Sequence, residues 1–274
     1  MSEPPRTAGT PPGTATRRDG AAPILEAHGI DKQYGQVQAL KGADFELYAG
    51  EVCALIGDNG AGKSTLIRIL AGVENADAGT IVFDGEQVRI EDPTKARALG
   101  IETVFQDLAL ANHLDPIQNM FLGREKMRGG LAGLLGFMDA GAMRRQGEAT
   151  FKKLGAAVVN FTGPVEGMSG GQRQAVAVAR AAAWADRVIF FDEPTAALGV
   201  VQTKNVLDLV RRTAREGIGV VFISHSMPHV LEVADRIQVL RHGKRVATFD
   251  AEGTTIDQLV GAMTGALDNR EETP

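Results

Sequence analysis

The stretch Gly57-Asp58-Asn59-Gly60-Ala61-Gly62-Lys63-Ser64 decides how this chain is read. It fills every fixed position of the pattern G-x-x-x-x-G-K-[ST]. Val52-Cys53-Ala54-Leu55-Ile56 runs into it without a polar break, the pattern of a strand buried on both faces of a parallel sheet. Beyond it, Leu66, Ile67, Ile69 and Leu70 lay an apolar stripe along a helix expected from Lys63 to Ala71. A strand, a glycine-rich turn and a helix together suit a polyphosphate. Glycines let backbone N–H groups turn inward, and the helix start offers free N–H groups and the positive end of its dipole. Lys63 adds a mobile positive charge for the β- and γ-phosphates, Thr65 follows in the same first turn, and the Ser64 hydroxyl suits Mg²⁺, a hard ion that prefers oxygen.

A phosphate loop of this kind needs an acidic strand end, and Val188-Ile189-Phe190-Phe191-Asp192-Glu193 supplies one. The four apolar residues bury the strand, so Asp192 emerges at its carboxyl end, where α/β sheets bind ligands. Asp192 is the candidate to hold magnesium, and Glu193, one residue on, the candidate general base for an attacking water.

Further strands are expected at Ile24 to Ile30, around Phe45 and Leu47, from Ile101 to Phe105 and from Val220 to Ile223. A closing hairpin is expected around His242-Gly243. Helical periodicity fits Ala140 to Leu154, Gly171 to Ala185, Val201 to Arg215 and Thr255 to Met263. Buried strands alternating with helices predict an α/β fold with a mostly parallel core. From about 107 to 168 strand-like runs are few, so a helical subdomain inserted into that core is expected. Residues 1–23 hold five of the 11 prolines and almost nothing large and apolar, so they are read as a disordered tail. Residues 269–274 form a short C-terminal tail.

Composition limits the partners. With 29 basic and 34 acidic residues the net charge is −5, which argues against a grip on nucleic acid. One cysteine cannot form an internal disulfide, so a reducing compartment is the default. No run approaches the roughly 20 apolar residues that span a bilayer.

Met168-Ser169-Gly170-Gly171-Gln172 takes the reading to one family. It resembles the signature motif of ABC transporter ATPases, Leu-Ser-Gly-Gly-Gln, with methionine for leucine, and it stands just ahead of the acidic strand as that family has it. Other matches follow the family's order. Tyr34 resembles the aromatic that stacks on adenine. Gln106 resembles the glutamine that senses Mg²⁺ and the attacking water, and His225 the histidine that contacts the γ-phosphate. Singly these three carry little information; in order they are specific. The resemblance covers the chain from about Ile24 onward. It implies an ABC ATPase domain over residues 24–268, with an antiparallel β-subdomain beside the parallel core. One position departs: Gly199 stands where the family usually has an aspartate in the loop after the acidic strand. Glu193-Pro194-Thr195-Ala196-Ala197-Leu198-Gly199, Ile223-Ser224-His225-Ser226-Met227 and Phe121-Leu122-Gly123-Arg124-Glu125 resemble the monosaccharide-uptake members, in their single-domain, fructose-type form.

In that family the signature helix of one subunit closes on ATP held by the phosphate loop of another. The resemblance therefore implies a homodimer with two-fold symmetry, or a pair with a close partner, that binds ATP and Mg²⁺. Each site would be built from Gly57 to Thr65, Tyr34, Gln106, Asp192, Glu193 and His225 of one chain and Ser169, Gly170, Gly171 and Gln172 of the other. Lacking a membrane span, the chain would serve separate permease subunits from the cytoplasmic face of the cell membrane, with a periplasmic sugar-binding protein as an indirect partner. Leu108 to Phe121 is the candidate permease contact. Alternatives are an ABC ATPase for an amino acid, lipid or lipoprotein, a soluble ABC ATPase outside transport, and a small-molecule kinase. Cys53, inside an apolar strand, is read as core, and Trp184 as packing.

Overall fold

The computed structural model describes residues 22–154, 160–196 and 198–266; most of the two expected tails lies outside them. In chain order the elements are β1 (Leu25–Tyr34), β2 (Val37–Leu47), β3 (Val52–Ile56), α1 (Lys63–Leu70), β4 (Ala78–Phe83), β5 (Glu86–Val88), α2 (Pro93–Ala98) and β6 (Ile101–Val104). Then come α3 (Pro116–Phe121), α4 (Leu131–Leu134), α5 (Ala140–Leu154), α6 (Gly170–Trp184), β7 (Val188–Asp192) and α7 (Val200–Arg215). The chain closes with β8 (Gly219–Ile223), α8 (Met227–Val233), β9 (Arg236–Arg241), β10 (Lys244–Asp250) and α9 (Ile256–Thr264).

Six strands form one sheet in the order β10-β9-β3-β8-β7-β6. Five run parallel, and β10 closes the edge antiparallel to β9. The uninterrupted apolar runs are explained by the layers on both faces. Val52, Ala54 and Ile56 belong to one core, with α6, α7 and α3; Cys53 and Leu55 belong to the other, with α1 and the second sheet. That second sheet is antiparallel, in the order β2-β1-β4-β5. A buried polar cluster ties it to the main sheet. Arg236 on β9 reaches Glu51 at 3.2 Å and Glu46 at 2.6 Å, while Gln238 donates to the Glu46 carbonyl. Between β6 and α6 the described residues carry α3, α4, α5, a 3₁₀ turn at Val165–Gly167 and one isolated bridge, Met127 to Met138.

The sequence pattern did not announce β4, β5, α2 or α8. All are short, and β4 and β5 are largely exposed, so the hydrophobic pattern there is thin. The β9–β10 hairpin does sit on His242-Gly243, with φ of 49° and 78°, the conformation of a type I′ turn. The Gly243 carbonyl accepts from the Lys41 N–H at 2.9 Å, and its N–H donates to the Ala61 carbonyl at 3.0 Å. The hairpin therefore braces the phosphate loop from behind.

Candidate nucleotide site

The loop between β3 and α1 has room only for glycine at its two ends. A Cβ on Gly57 would lie 2.2 Å from the Leu240 carbonyl oxygen; one on Gly62, at φ 102°, would lie 2.7 Å from the Ala39 carbonyl oxygen. The loop is thus pressed against β9 and β2, while Asp58, Asn59 and Gly60 are exposed at its crest. Gly62 begins α1 without any side-chain cap. The N–H groups of that first turn, which no helix residue can accept, are available to an anion. Lys63 donates to the Gly57 carbonyl at 2.7 Å and the Asp58 carbonyl at 3.0 Å, so its ammonium lies inside the loop. Burial pulls the Lys63 pKa below the ordinary lysine value, against the opposing pull of Glu193, Asp192 and Asp58.

The acidic side faces the same cleft. Asp192, the last residue of β7, is buried; burial and then the neighbouring Glu193 lift its pKa, and Lys63 opposes the lift. Ser64, Gln106 and Asp192 together line a cleft of about 750 Å³, with Arg68 and Glu74 at its side. Hydroxyl, amide and carboxylate oxygens are the donor set a hard divalent cation takes. Glu193 turns off the strand at φ 52°, a left-handed conformation rarely adopted by a non-glycine residue. Its N–H donates to the Ile223 carbonyl at 3.0 Å, and its Oε2 lies 2.9 Å from His225 Nδ1. The backbone of two neighbouring parallel strands, β7 and β8, thus sets a carboxylate beside an imidazole at the carboxyl edge of the sheet. Tyr34, at the end of β1, is 42% exposed, and its hydroxyl bonds to Glu74.

The signature residues form a separate feature. Ser169 caps α6 and closes a capping box: the Gln172 N–H donates to Ser169 Oγ at 3.3 Å, and the Ser169 N–H donates to Gln172 Oε1 at 3.0 Å. These hydrogen bonds stay within the helix cap. Ser169 and Gly170 are exposed. A Cβ on Gly171 would meet Gln202 Cγ at 2.9 Å, and one on Gly199, the N-cap of α7, would meet Gln202 Oε1 at 2.8 Å. Gln202 therefore fills the space between the signature turn and the loop that departs from the family pattern; Ala197 of that loop lies outside the described residues.

Two contributors escaped the sequence reading. Arg180, on α6, donates to the Ala109 and Leu108 carbonyls at 2.8 and 3.0 Å and so clasps the segment just after Gln106. Its signal was a lone arginine in the apolar run from Ala175 to Ala185. Glu74 joins the cleft, Arg68 and Tyr34, and no motif marks it.

Fold and cradle define a P-loop nucleotide-binding protein. The sequence model of the ABC transporter family matches residues 40–196, more than half of the chain. The chain is 47% identical over 252 residues to the fructose import ATP-binding protein FrcA of Rhizobium meliloti, covering 91% of this chain and 97% of that protein. It is 43% identical over 241 residues to the xylose/arabinose import ATP-binding protein XylG of Sulfolobus acidocaldarius, covering 88% and 94%. The ribose import ATP-binding protein RbsA 1 of Rubrobacter xylanophilus is 42% identical over 243 residues, but this chain covers only 47% of it. Among solved structures, a nucleotide-free ATP-binding cassette superposes with a TM-score of 0.74 at 23% identity, covering 89% of this chain and 96% of that one. A dimeric cassette bound to ADP and phosphate gives 0.72 at 24% identity, covering 84% and 100%. The chain belongs to the ABC transporter family and has the fold of its ATPase cassette.

Proposed function

We propose that this chain is the ATP-hydrolysing subunit of a monosaccharide importer, working as a homodimer docked on a separate permease. One observation carries the reading. The chain holds an open phosphate cradle with its acid pair, and, apart from it, an exposed helix start whose cap is closed on itself. Each copy has both halves of a site, and a second copy can bring them together. The sugar assignment follows relatives named for fructose, xylose/arabinose and ribose import.

In this mechanism Gly57 to Thr65 wrap the phosphates of ATP, and Tyr34 turns from Glu74 toward the base. Ser64, Gln106 and Asp192 would hold Mg²⁺, which would neutralise charge on the phosphate oxygens. Ser169, Gly170, Gly171 and Gln172 of the second copy cover the γ-phosphate with the positive end of α6. Glu193 takes a proton from water as its oxygen attacks the γ-phosphorus, and the bond to the β-phosphate oxygen breaks, leaving ADP and phosphate. His225 orients the Glu193 carboxylate through the 2.9 Å contact. With the bridging charge gone, the copies part.

Permease docking falls to a groove of about 680 Å³ between β6 and the insertion, lined by Arg97, Glu102, Phe105, Ala109, Arg124 and Trp184 among others. Of the expected contact segment, Pro116, Ile117, Met120 and Phe121 are buried, so its earlier residues and the Leu122–Glu125 stretch offer the accessible surface. Location at the cytoplasmic face of the inner membrane follows from that docking, and no helix among the described residues is long and apolar enough to cross a membrane. The test is reconstitution in vesicles with the permease and a sugar-binding protein. Hydrolysis stimulated by sugar-loaded binding protein supports the reading. Stimulation by DNA or ribosomes instead, or a phosphorylated sugar as product, contradicts it.

A further inference from the structure

We propose that the α4 turn is a lipid-contact tip, seating apolar side chains among the headgroups of an anionic membrane. Leu131, Leu134, Leu135, Phe137 and Met138 are 74%, 84%, 67%, 58% and 51% exposed. Contiguous apolar side chains at this density mark an interaction surface rather than the scattered exposure of any soluble protein. The protrusion is built, not frayed. The Met127–Met138 bridge closes its base, the Arg128 N–H donates to the Phe137 carbonyl at 2.9 Å, and the Phe137 N–H donates to the Ala132 carbonyl at 3.0 Å. Gly133 is tucked so tightly that a Cβ there would lie 1.9 Å from the Arg128 carbonyl oxygen.

Charge selects the occupant. Residues 122–145 hold five basic and two acidic side chains in a chain of net charge −5; of the five, Arg124 pairs with Glu102 and Arg144 with Glu148, so the collar rests on Lys126 and Arg128. Lys126 and Arg128 stand exposed at the base of the tip. Apolar side chains ahead of a basic collar are what an anionic bilayer surface takes up: the apolar groups enter the headgroup boundary and the cations meet lipid phosphates. A protein partner would need a cavity shaped to a convex tip and acids placed around it. Position agrees, since Leu122 and Glu125 line both the proposed permease groove and a smaller cavity of about 300 Å³ that Met138 also lines. The tip stands next to the entrance for a membrane-embedded partner. Its orientation rests on the docking proposed above, whereas its test needs no permease.

The test is co-sedimentation of the full chain, without permease, with vesicles of phosphatidylcholine alone or with about a third phosphatidylserine. The wild-type chain is expected on the anionic vesicles, with binding falling as salt rises. Lys126→Gln with Arg128→Gln should weaken it roughly twenty-five-fold, at about fivefold per charge. Leu131→Asn with Leu134→Asn should abolish it and leave basal ATP hydrolysis unchanged. No sedimentation of the wild type, equal binding to neutral vesicles, or variants that bind like the wild type would overturn the proposal. So would tip variants that keep vesicle binding but lose association with the permease, because the occupant would then be protein. A wild-type chain that binds vesicles but shows no sugar-stimulated hydrolysis with the permease would count against the importer reading alone.

Discussion

Two helices begin at opposite functional ends of this chain, and they begin differently. Helix α1 starts at Gly62 with no side chain over its first turn. Helix α6 starts at Ser169 with a full capping box. Both present the positive end of a helix dipole. The first is prepared for an anion by omission, since glycine supplies the turn and leaves the N–H groups open. The second is capped on its own, because Ser169 and Gln172 pair two N–H groups of its start, and in the proposed dimer it would exchange these hydrogen bonds for phosphate when a second copy arrives. One end is a permanent receptor and the other a conditional one. In the proposed dimer that asymmetry would make association reversible: the chain would hold nucleotide alone, and only nucleotide would make the second contact worth breaking a cap.

The comparison breaks first at the permanent receptor. Lys63→Ala should lower ATP affinity by at least roughly a hundredfold in calorimetry and stop hydrolysis, the scale of losing one well-placed donor to a concentrated charge. Unchanged affinity would remove Lys63 from its role. Glu193→Gln should slow turnover by about a hundred- to ten-thousandfold, the range of a lost general base, while calorimetry finds ATP binding intact. Near-normal turnover would refute the base assignment.

The conditional receptor is sharpened by Ser169→Gly. Glycine is a tolerable N-cap, so thermal unfolding should report a loss of only about 0.3 kcal/mol. Turnover should nevertheless fall about tenfold, as for one hydrogen bond to a charged group. If stability and turnover both stay near wild type, the hydroxyl is a cap and nothing more. The smallest effect belongs to the core. Cys53 is fully buried, and burial first, then Glu51, raises its thiol far above the ordinary range. The folded chain should leave a thiol reagent unconsumed over hours, and denaturant should release one reactive thiol per chain.

The parallel core was legible because both of its faces are covered. Continuous runs such as Val188 to Phe191 have no other stable place. The phosphate loop was legible because its glycines answer to steric demands that no other residue meets, as at Gly57 and Gly62. The β4–β5 hairpin carried a signal that went unread: Asp84-Gly85 has φ of 53° and 81°, a type I′ pair, although only its β4 side, Ile81-Val82-Phe83, is apolar. What Arg180 and Gln202 do was hidden for a different reason. Their roles are contacts across about 70 and 30 residues of chain, to Leu108 and Ala109 and to Gly171, and no local pattern encodes a partner that distant. The exposed apolar tip was visible only as a glycine-rich patch, since exposure is a property of the fold.

The central claim is that two copies complete each other's sites. Its most direct test is a structure of the Glu193→Gln chain with ATP and Mg²⁺. The account predicts a two-fold dimer in which Ser169 Oγ of each copy lies within about 3 Å of a γ-phosphate oxygen held by Lys63 of the other. A monomer with ATP fully bound, or a dimer whose signature turns lie far from both nucleotides, would contradict it.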